Sequence, residues 1–318
     1  MCTAITYRGA DSYFGRNLDL EYHYKENVTI SPREYLFPFE KKPGLALIGI
    51  ATVAENYPLY YDAMNEAGLA MAGLNFFHSA HYAPEKGCKN GVAPYEFIPW
   101  VLRQFISVSQ AMEEIKKISI CDIPFAGFPQ AKLHWMLCDQ EQCVTIEQTK
   151  NGLQIYNNPI GVLTNEPPFP YQMTNLANYM RLSPDQPPNT LCPDAELPLY
   201  SQGMGGIGLP GDSSSVSRFV RAAFTRQNAK HHVEEAANLG QFFHILETVK
   251  QIEGCVNVKG KLEKTVYSSC CNLDKGIYYY TTYENSQITA VHLYHEDLSS
   301  KELITYPLSF CQHIRTEN

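Results

Sequence analysis

The 318-residue sequence lacks several features that would assign it to a common functional class. It contains no apolar run long enough to cross a bilayer, and its N-terminus does not show the basic-then-apolar pattern of an export signal. The H-E-x-x-H and paired C-x-x-C motifs of zinc proteins are absent, as is the G-x-S-x-G elbow of serine hydrolases. We therefore expect no membrane span, no metal and no serine nucleophile of that type.

Positive charge is also scarce. The net charge is −8 and the isoelectric point is about 5.7, which argues against nucleic acid as a partner. Ten cysteines are scattered along the chain, and only Cys270 and Cys271 are adjacent. In a long chain without an export signal, we expect these cysteines to be reduced and mostly buried rather than bridged, in a cytoplasmic protein.

One glycine-rich segment matches a nucleotide-binding pattern. Gly203 to Gly208 satisfies G-x-G-x-x-G, but a dinucleotide site also needs a helix directly afterwards and an acidic residue about twenty positions on. Here Pro210 interrupts any following helix, and no acidic residue occurs between Ser213 and Val233. We therefore expect a loop that frames a site, and no nucleotide cofactor.

The N-terminal stretch carries the strongest chemical signal. If Met1 is removed, which a small second residue favours, Cys2 becomes the first residue and carries both a thiol and a free α-amino group. An ordinary α-amino group has a pKa of ~7.7–8.0, so it can accept the proton of its own thiol. This pattern predicts an N-terminal nucleophile. The alternative is a small buried apolar side chain, which is how free cysteine usually behaves.

A turn at residues 8–12 follows the first predicted strand, and a second strand returns after it. The resulting hairpin would bring Arg16 and Asp19 back near Cys2. The cation would favour the thiolate, and the carboxylate would orient the ammonium group. The alternative is an exposed ion pair at the strand end, which contributes little stability.

Hydrophobic periodicity predicts an α+β fold, because groups of strands alternate with groups of helices. Helical patterns cover 94–119, where Ser107 and Gln110 resemble a capping box, and 215–228 and 233–252. A proline-rich stretch at about 166–200 is too long for a simple connection, which predicts either an assembly insertion or a mobile loop. Strands are predicted at 28–30, 45–51, 59–63, 69–74, 133–137, 144–147, 153–156, 161–164, 265–271, 277–283 and 287–293.

Short motifs are spread along the whole chain. They are Met1-Cys2-Thr3-Ala4-Ile5-Thr6-Tyr7, Phe14-Gly15-Arg16-Asn17-Leu18-Asp19, Asp62-Ala63-Met64-Asn65-Glu66, Gly73-Leu74-Asn75-Phe76, Val162-Leu163-Thr164-Asn165, Gly208-Leu209-Pro210-Gly211-Asp212, Ser217-Arg218-Phe219 and Tyr267-Ser268-Ser269-Cys270-Cys271. In this order and spacing they resemble the choloylglycine hydrolase family, which contains bile salt hydrolases and penicillin V acylases. The resemblance covers essentially the whole chain.

The resemblance implies one N-terminal-nucleophile hydrolase domain over 1–318, folded as a four-layer αββα sandwich. It implies hydrolysis of the amide bond in glycine- or taurine-conjugated bile salts, without a cofactor or metal. The insertion at about 166–200 would help to assemble a homotetramer, in a bacterial cytoplasm. Two alternatives are a penicillin V acylase and a steroid-binding protein without catalysis on the same scaffold.

The resemblance also implies roles for individual residues. Cys2 would be the nucleophile and Asp19 would orient its amine, while the side chain of Asn165 and the backbone amide of Asn75 would hold the oxyanion. From the residues alone, Asn165 could equally cap a turn before Pro167. The full catalytic set implied by the resemblance is Cys2, Arg16, Asp19, Asn75, Asn165 and Arg218.

The substrate side of the site is predicted less directly. Aromatic side chains near the mouth are candidates for the apolar wall that would contact a steroid. Asn75 favours bile salts over penicillin V, because the penicillin acylases tend to carry tyrosine at the matching position. The candidate substrate-binding residues are Leu18, Tyr22, Tyr24, Tyr60 and Tyr61.

Overall fold

The computed structural model describes residues 1–86, 88 and 90–318. Its strands in chain order are β1 (Cys2–Arg8), β2 (Ser12–Leu20), β3 (Glu26–Ser31), β4 (Leu47–Ala54), β5 (Tyr57–Asn65), β6 (Ala70–Asn75), β7 (Gly91–Val92), β8 (Ser119–Ile120), β9 (Leu133–Cys138), β10 (Cys143–Thr149), β11 (Gly152–Asn157), β12 (Val162–Leu163), β13 (Asn257–Val258), β14 (Lys261–Leu262), β15 (Lys264–Asn272), β16 (Ile277–Thr282), β17 (Thr289–His292) and β18 (Ile304–Pro307). The α-helices are α1 (Phe97–Leu102), α2 (Val108–Ile115), α3 (Phe169–Leu176), α4 (Ser215–Asn228) and α5 (Glu235–Glu247).

Two large antiparallel sheets form the centre of the fold. A six-stranded sheet has the order β12-β1-β2-β15-β16-β17, and an eight-stranded sheet has the order β11-β10-β9-β6-β5-β4-β3-β18. Strands β1 and β2 face β6 across the interface between the sheets, while α4 and α5 cover the outside of the first sheet and α1 packs on β5 and β6. This helix–sheet–sheet–helix arrangement confirms the predicted four-layer α+β sandwich.

The apolar core has two parts. The first fills the space between the sheets and under α4 and α5, and includes Cys2, Met64 and Phe219. The second lies on the opposite face of the eight-stranded sheet, against α1 and α2, and includes Trp135 and Val101. A strand side chain alternates between the two faces of its sheet, so neighbouring residues contribute to different parts. Cys2, the first residue of β1, therefore lies inside the first part of the core.

Most predicted elements are observed, but helix α3 and the two-residue strands β7, β8, β13 and β14 were not predicted, and three further differences follow. The helical pattern at 94–119 is two short helices, and Ser107 caps the second by accepting a hydrogen bond from the Gln110 amide at 3.3 Å. Helix α5 is shorter than its pattern, because residues 248–252 turn towards β15. Strand β18 was missed. It is short, contains Pro307 and pairs on one side only, with β3, so it lacks the alternation of a central strand.

The cysteines differ from expectation in one place. Cys88 and Cys121 form a disulfide, with Cα atoms 6.3 Å apart. The parallel pairing of β7 with β8 brings the two segments together, and a Cβ atom on Gly91 would lie 2.2 Å from the Cys121 sulfur. The prediction that the cysteines are unbridged is therefore wrong for this pair. The unbridged cysteines include buried Cys2, Cys138, Cys270 and Cys271, and exposed Cys192, Cys255 and Cys311.

The stretch at about 166–200 begins with α3 and continues as an exposed, largely irregular segment. Leu191 and Tyr200 expose 85% and 81% of their surface, an unusual amount for large apolar residues. The glycine-rich motif lies just after it, where a single 3-10 turn spans Met204–Gly206 and α4 begins only at Ser215. Within the described ranges, no helix has the length and apolarity needed to cross a membrane.

Candidate active site

Cys2 lies at the start of β1, between β12 and β2, with 1% of its surface exposed. The β1–β2 hairpin pairs Cys2 with Leu18, and the next amide, that of Asp19, donates to the carbonyl of Met1 at 3.0 Å. The predicted hairpin therefore places Asp19 beside the N-terminus. The pairing with β2 on one side, and with β12 at Ala4 and Ile5 on the other, holds the start of β1 in a fixed position.

Arg218 reaches Cys2 from the first turns of α4. Ser214 caps this helix by accepting from the Ser217 amide. The fully buried guanidinium donates to the Cys2 carbonyl, to Thr3 Oγ1 at 2.7 Å and to Asn165 Oδ1 at 2.7 Å. Burial lowers the pKa of Arg218, although Asp19 and Cys2 partly offset that effect. Arg218 thus fixes both the backbone of Cys2 and the amide of Asn165.

Asn165 follows β12, and hydrogen bonds to both its side-chain oxygen and its side-chain nitrogen fix the orientation of the amide group. Its Oδ1 accepts from the Cys2 backbone nitrogen at 2.9 Å as well as from Arg218, and its Nδ2 donates to the carbonyl of Asn75 at 2.9 Å. A primary amide nitrogen carries two hydrogens, so the second remains available to an oxygen placed in the site. Asn165 and Asn75 are therefore brought together as predicted for an oxyanion-binding pair.

Arg16 enters the site from β2 and is fully buried between the sheets. Its Nη1 donates to the carbonyls of Gly73 at 2.5 Å and Tyr61 at 3.1 Å. Its Nη2 is buried without a hydrogen-bond partner among the described residues. Burial disfavours the charge, but the nearby Cys2 thiol and acidic groups outweigh burial and raise the pKa of Arg16. Arg16 is thus a permanent cation beside the thiol, with one donor unused.

Asp62 of β5 was not singled out by the sequence, although it belongs to a quoted motif. It is fully buried and accepts hydrogen bonds from Tyr267 at 2.5 Å, Tyr278 at 2.5 Å and Ser269 at 3.0 Å. Burial raises the pKa of Asp62, while Arg16 acts in the opposite direction. A buried charge needs a compensating partner, and Asp62 and Arg16 supply this to each other across the two sheets.

Asp19 has one carboxylate oxygen engaged and one available. Thr265 Oγ1 donates to Oδ1 at 2.6 Å, whereas Oδ2 is buried without a hydrogen-bond partner in the described part of the chain. The ammonium group of Met1 donates to the Asp19 carbonyl at 2.8 Å and forms an ion pair with Glu263 at 3.0 Å. Glu263 and Thr265 were missed because they follow Cys2 by more than 200 positions and carry no local motif.

The candidate substrate-binding residues separate into three groups. Leu18 and Tyr61 belong to or pack against the core that contains Cys2. Tyr22 and Tyr24 pack together, with ring centroids 4.7 Å apart, and Tyr22 is 48% exposed. Tyr60 lies in the other core, where its hydroxyl contacts Ser31 at 2.8 Å. The structure therefore does not bring Tyr60 to Cys2.

A buried thiol beside a permanent cation, two asparagines and a carboxylate with one oxygen unpaired among the described residues is suited to nucleophilic attack on a carbonyl group. No group of three or more His, Cys, Asp or Glu residues with metal-binding geometry occurs among the described residues. The chemistry that these residues can support is acyl transfer through a thioester.

Comparison with known proteins points to the same chemistry. Residues 2–306 match the model of the linear amide C–N hydrolases, choloylglycine hydrolase family. The chain is 52% identical to a bile salt hydrolase/transferase of Lactiplantibacillus plantarum, covering 97% of both chains, and 39% identical to one of Clostridium perfringens, covering 96% of both. A crystal structure of a conjugated bile acid hydrolase variant from Clostridium perfringens superposes with a TM-score of 0.92 at 37% identity, covering 100% of both chains. A penicillin V acylase from Agrobacterium tumefaciens shares the fold, with a TM-score of 0.76 at 19% identity, covering 96% of this chain and 90% of the other.

Proposed function

The chain belongs to the choloylglycine hydrolase family of linear amide hydrolases, and we propose that it cleaves the amide bond of conjugated bile salts, releasing glycine or taurine from the bile acid. The observation that carries the proposal is the identity of 52% over 97% of both chains with a bile salt hydrolase/transferase. The site geometry supports it, since Cys2 lies against Arg218, Asn165 and Arg16.

We assign the nucleophile to Cys2 after removal of Met1. The thiol proton passes to the α-amino group of Cys2, and the sulfur attacks the amide carbonyl carbon to form a tetrahedral intermediate. The C–N bond breaks as the α-ammonium returns a proton to the leaving amine, which leaves a thioester. Water, deprotonated by the same amine, then breaks the C–S bond and restores the thiol.

The surrounding residues match these steps. The backbone nitrogen of Cys2 already contacts Asn165 Oδ1 at 2.9 Å, and as an amine it can keep this contact while its lone pair accepts the thiol proton. Asp19 Oδ2, buried and unpaired among the described residues, would orient the ammonium form. Asn165 Nδ2 and the amide of Asn75 would stabilise the oxyanion, a role worth about 3–4 kcal/mol in other hydrolases.

Two alternative functions fit the same site geometry, so an assay has to distinguish them from bile salt hydrolysis. A penicillin V acylase would use the same chemistry on a phenoxyacetyl amide, but Asn75 favours the bile-salt side. Retention of Met1 would favour a steroid-binding protein without catalysis, because its peptide bond removes the free amine of Cys2. The names of the relatives also include a transferase, so an added amine acceptor belongs in the same assay.

The test is amine release from glycocholate, taurocholate and penicillin V by wild type and Cys2→Ser, with the intact mass of both proteins recorded. We expect bile-salt cleavage by protein that lacks Met1, and a loss of at least about 1,000-fold in Cys2→Ser. Cleavage of penicillin V alone would move the assignment to that activity. Lack of cleavage by correctly processed protein would refute the proposal.

We also propose that the chain assembles as a homotetramer through the segment that follows α3. The support is its exposed apolar surface, where Leu191, Leu197 and Tyr200 border a shallow groove with Pro187 and Met204. Large exposed apolar patches usually mark interaction sites. Light scattering on wild type and a Leu191→Asp, Tyr200→Asp double variant would test this, and a wild-type monomer would overturn it.

A cytoplasmic location remains our prediction. A reducing compartment suits a thiol nucleophile, because oxidation of the thiol would inactivate it. In that compartment Cys88 and Cys121 would stay as thiols until the protein is exposed to an oxidant. Fractionation of the source cells, followed by activity measurement in each fraction, would decide the location.

A further inference from the structure

The two segments that carry the proposed oxyanion groups are joined by a residue without a role in the mechanism above. Asn75 ends β6, and Asn165 follows β12. Glu166, the next residue after Asn165, extends its carboxylate to the segment beyond Asn75. It accepts hydrogen bonds from the backbone amides of His78 and Ser79, both at 2.9 Å, and from Ser79 Oγ at 2.7 Å.

This contact uses both oxygens of the carboxylate. Oε1 receives the two amides and Oε2 receives the hydroxyl group of Ser79. Hydrogen bonds to an ionised acceptor are roughly twice as strong as neutral ones. The Glu166 side chain is half-buried, and its two bonds to Ser79 are partly shielded from water, whereas the bond to the His78 amide is exposed. The contact thus ties together two segments that are 87 and 88 positions apart in the sequence.

The same two segments also contact His134, one through Thr164 and the other through Phe76. His134 Nε2 lies 2.9 Å from the carbonyl of Thr164, and the ring of Phe76 stacks on the imidazole with centroids 4.2 Å apart. A carbonyl only accepts, so Nε2 carries a hydrogen. Nδ1 faces the buried carboxylate of Glu147 at 3.1 Å. His134 therefore contacts both segments at Thr164 and Phe76, and Glu166 joins them a second time at His78 and Ser79.

We propose that Glu166 is a positioning residue, which holds the Asn75 and Asn165 segments at the separation that oxyanion stabilisation needs. The inference rests on the proposed hydrolase function. Without the carboxylate, the segment from His78 to Ser79 loses its anchor, and the 2.9 Å contact between Asn165 Nδ2 and the Asn75 carbonyl is no longer held from that side. Displacement of a catalytic group by about 1 Å can lower a rate on the order of 100-fold.

The experiment compares Glu166→Ala, Glu166→Gln and Ser79→Ala with the exposed control Glu141→Ala, using glycocholate. We expect Glu166→Ala to lower kcat about 10- to 100-fold with KM within about twofold of wild type. Glu166→Gln keeps an oxygen for the two amides and should remain within about threefold of wild type. Ser79→Ala loses one of the three bonds and should fall between them.

Two kinetic results would overturn the inference, and an exchange measurement gives a third. One is a wild-type kcat in Glu166→Ala, and the other is an equal loss in the alanine and glutamine variants with a raised KM, which would mean that the charge acts on substrate. Hydrogen–deuterium exchange at residues 76–82 supplies a readout that does not need activity. If wild type were inactive, the proposed function would fail, and unchanged exchange in Glu166→Ala would separately refute the positioning role.

Discussion

The backbone nitrogen of Cys2 and the side-chain oxygen of Asn165 are 2.9 Å apart, although 163 positions separate them in the sequence. Arg218 holds the same oxygen from the other side at 2.7 Å. Asn165 is therefore oriented by the backbone of Cys2 and by the buried guanidinium of Arg218. This orientation directs its NH2 group towards the Asn75 carbonyl.

An N-terminal extension that cannot be removed should abolish activity. The Met1 ammonium is already bound by Asp19 and Glu263, so any residue before Cys2 occupies this position and removes the free amine. We expect a tag placed before Met1 to lower amine release by at least about 1,000-fold, whereas the same tag after Asn318 should leave it unchanged. Full activity of a protein whose mass shows an intact N-terminal tag would contradict the role of the amine.

Substitution of Arg218 should impair both stability and catalysis. Arg218→Lys keeps a charge but cannot reach the Cys2 carbonyl, Thr3 and Asn165 together, because lysine lacks the planar fork. We expect kcat to fall by about 100-fold and the free energy of unfolding to fall by roughly 2–4 kcal/mol. Arg221→Lys on the same helix, whose side chain binds loop carbonyls, is the matched control. Comparable kcat values in the two variants would contradict this assignment.

Asp212 should contribute stability in a defined range of pH. Its carboxylate accepts from the Ser214 amide and the Ser217 hydroxyl at the start of α4, and these hydrogen bonds lower its pKa from 3.8 to about 2. A lowered pKa in the folded state stabilises the fold above the unfolded pKa, and this is lost as pH falls through the folded pKa.

The melting temperature of Asp212→Asn should therefore lie below that of wild type at about pH 5, and the difference should shrink as the pH falls from about 4 towards 2. Asp194→Asn, in the exposed segment, is the control. A difference between Asp212→Asn and wild type that stays constant across this range would show that the carboxylate charge is unimportant.

The disulfide between Cys88 and Cys121 should be detectable and stabilising. It closes a loop across a sequence separation of 33 residues, for which chain entropy predicts roughly 3–4 kcal/mol. Non-reducing peptide mapping should find a peptide that joins the two cysteines. Cys121→Ser should lower the melting temperature while Cys255→Ser, at an exposed free cysteine, should not. Equal melting of both variants would argue against the bridge in the folded protein.

The sequence predicts local features of this protein better than distant ones. The β1–β2 hairpin and α4 follow from turn residues and periodicity within a few positions. Glu263, Thr265 and Asp62 reach the site through tertiary contacts, for which a single sequence holds no local signal. Their roles depend on which strands become neighbours, and that is decided by packing of the two sheets.

Tyr60 shows a second limit. Strict alternation would place Tyr60 and Asp62 on the same face of β5, but the register with β4 shifts at this point, where Ile50 pairs with Asp62 and Ala51 pairs with Tyr60. This bulge adds one residue and turns Asp62 towards the space between the sheets, while Tyr60 faces the other way. The two-residue period of side chains along a strand contains no signal for such a shift. From the sequence, aromatic residues on both sides of the bulge were therefore equally good candidates for the substrate wall.

The ion pair between Met1 and Glu263 has a consequence for the timing of synthesis. Glu263 follows Met1 by 262 positions, and at roughly 5–20 residues per second a ribosome needs about 13–52 s to add them. Until then the Met1 ammonium lacks its ion-pair partner Glu263, and an aminopeptidase can reach it. Once the sheets close, the methionine is anchored. Processing of Met1 is thus in competition with folding, and slow processing would trap a fraction of molecules in an inactive form.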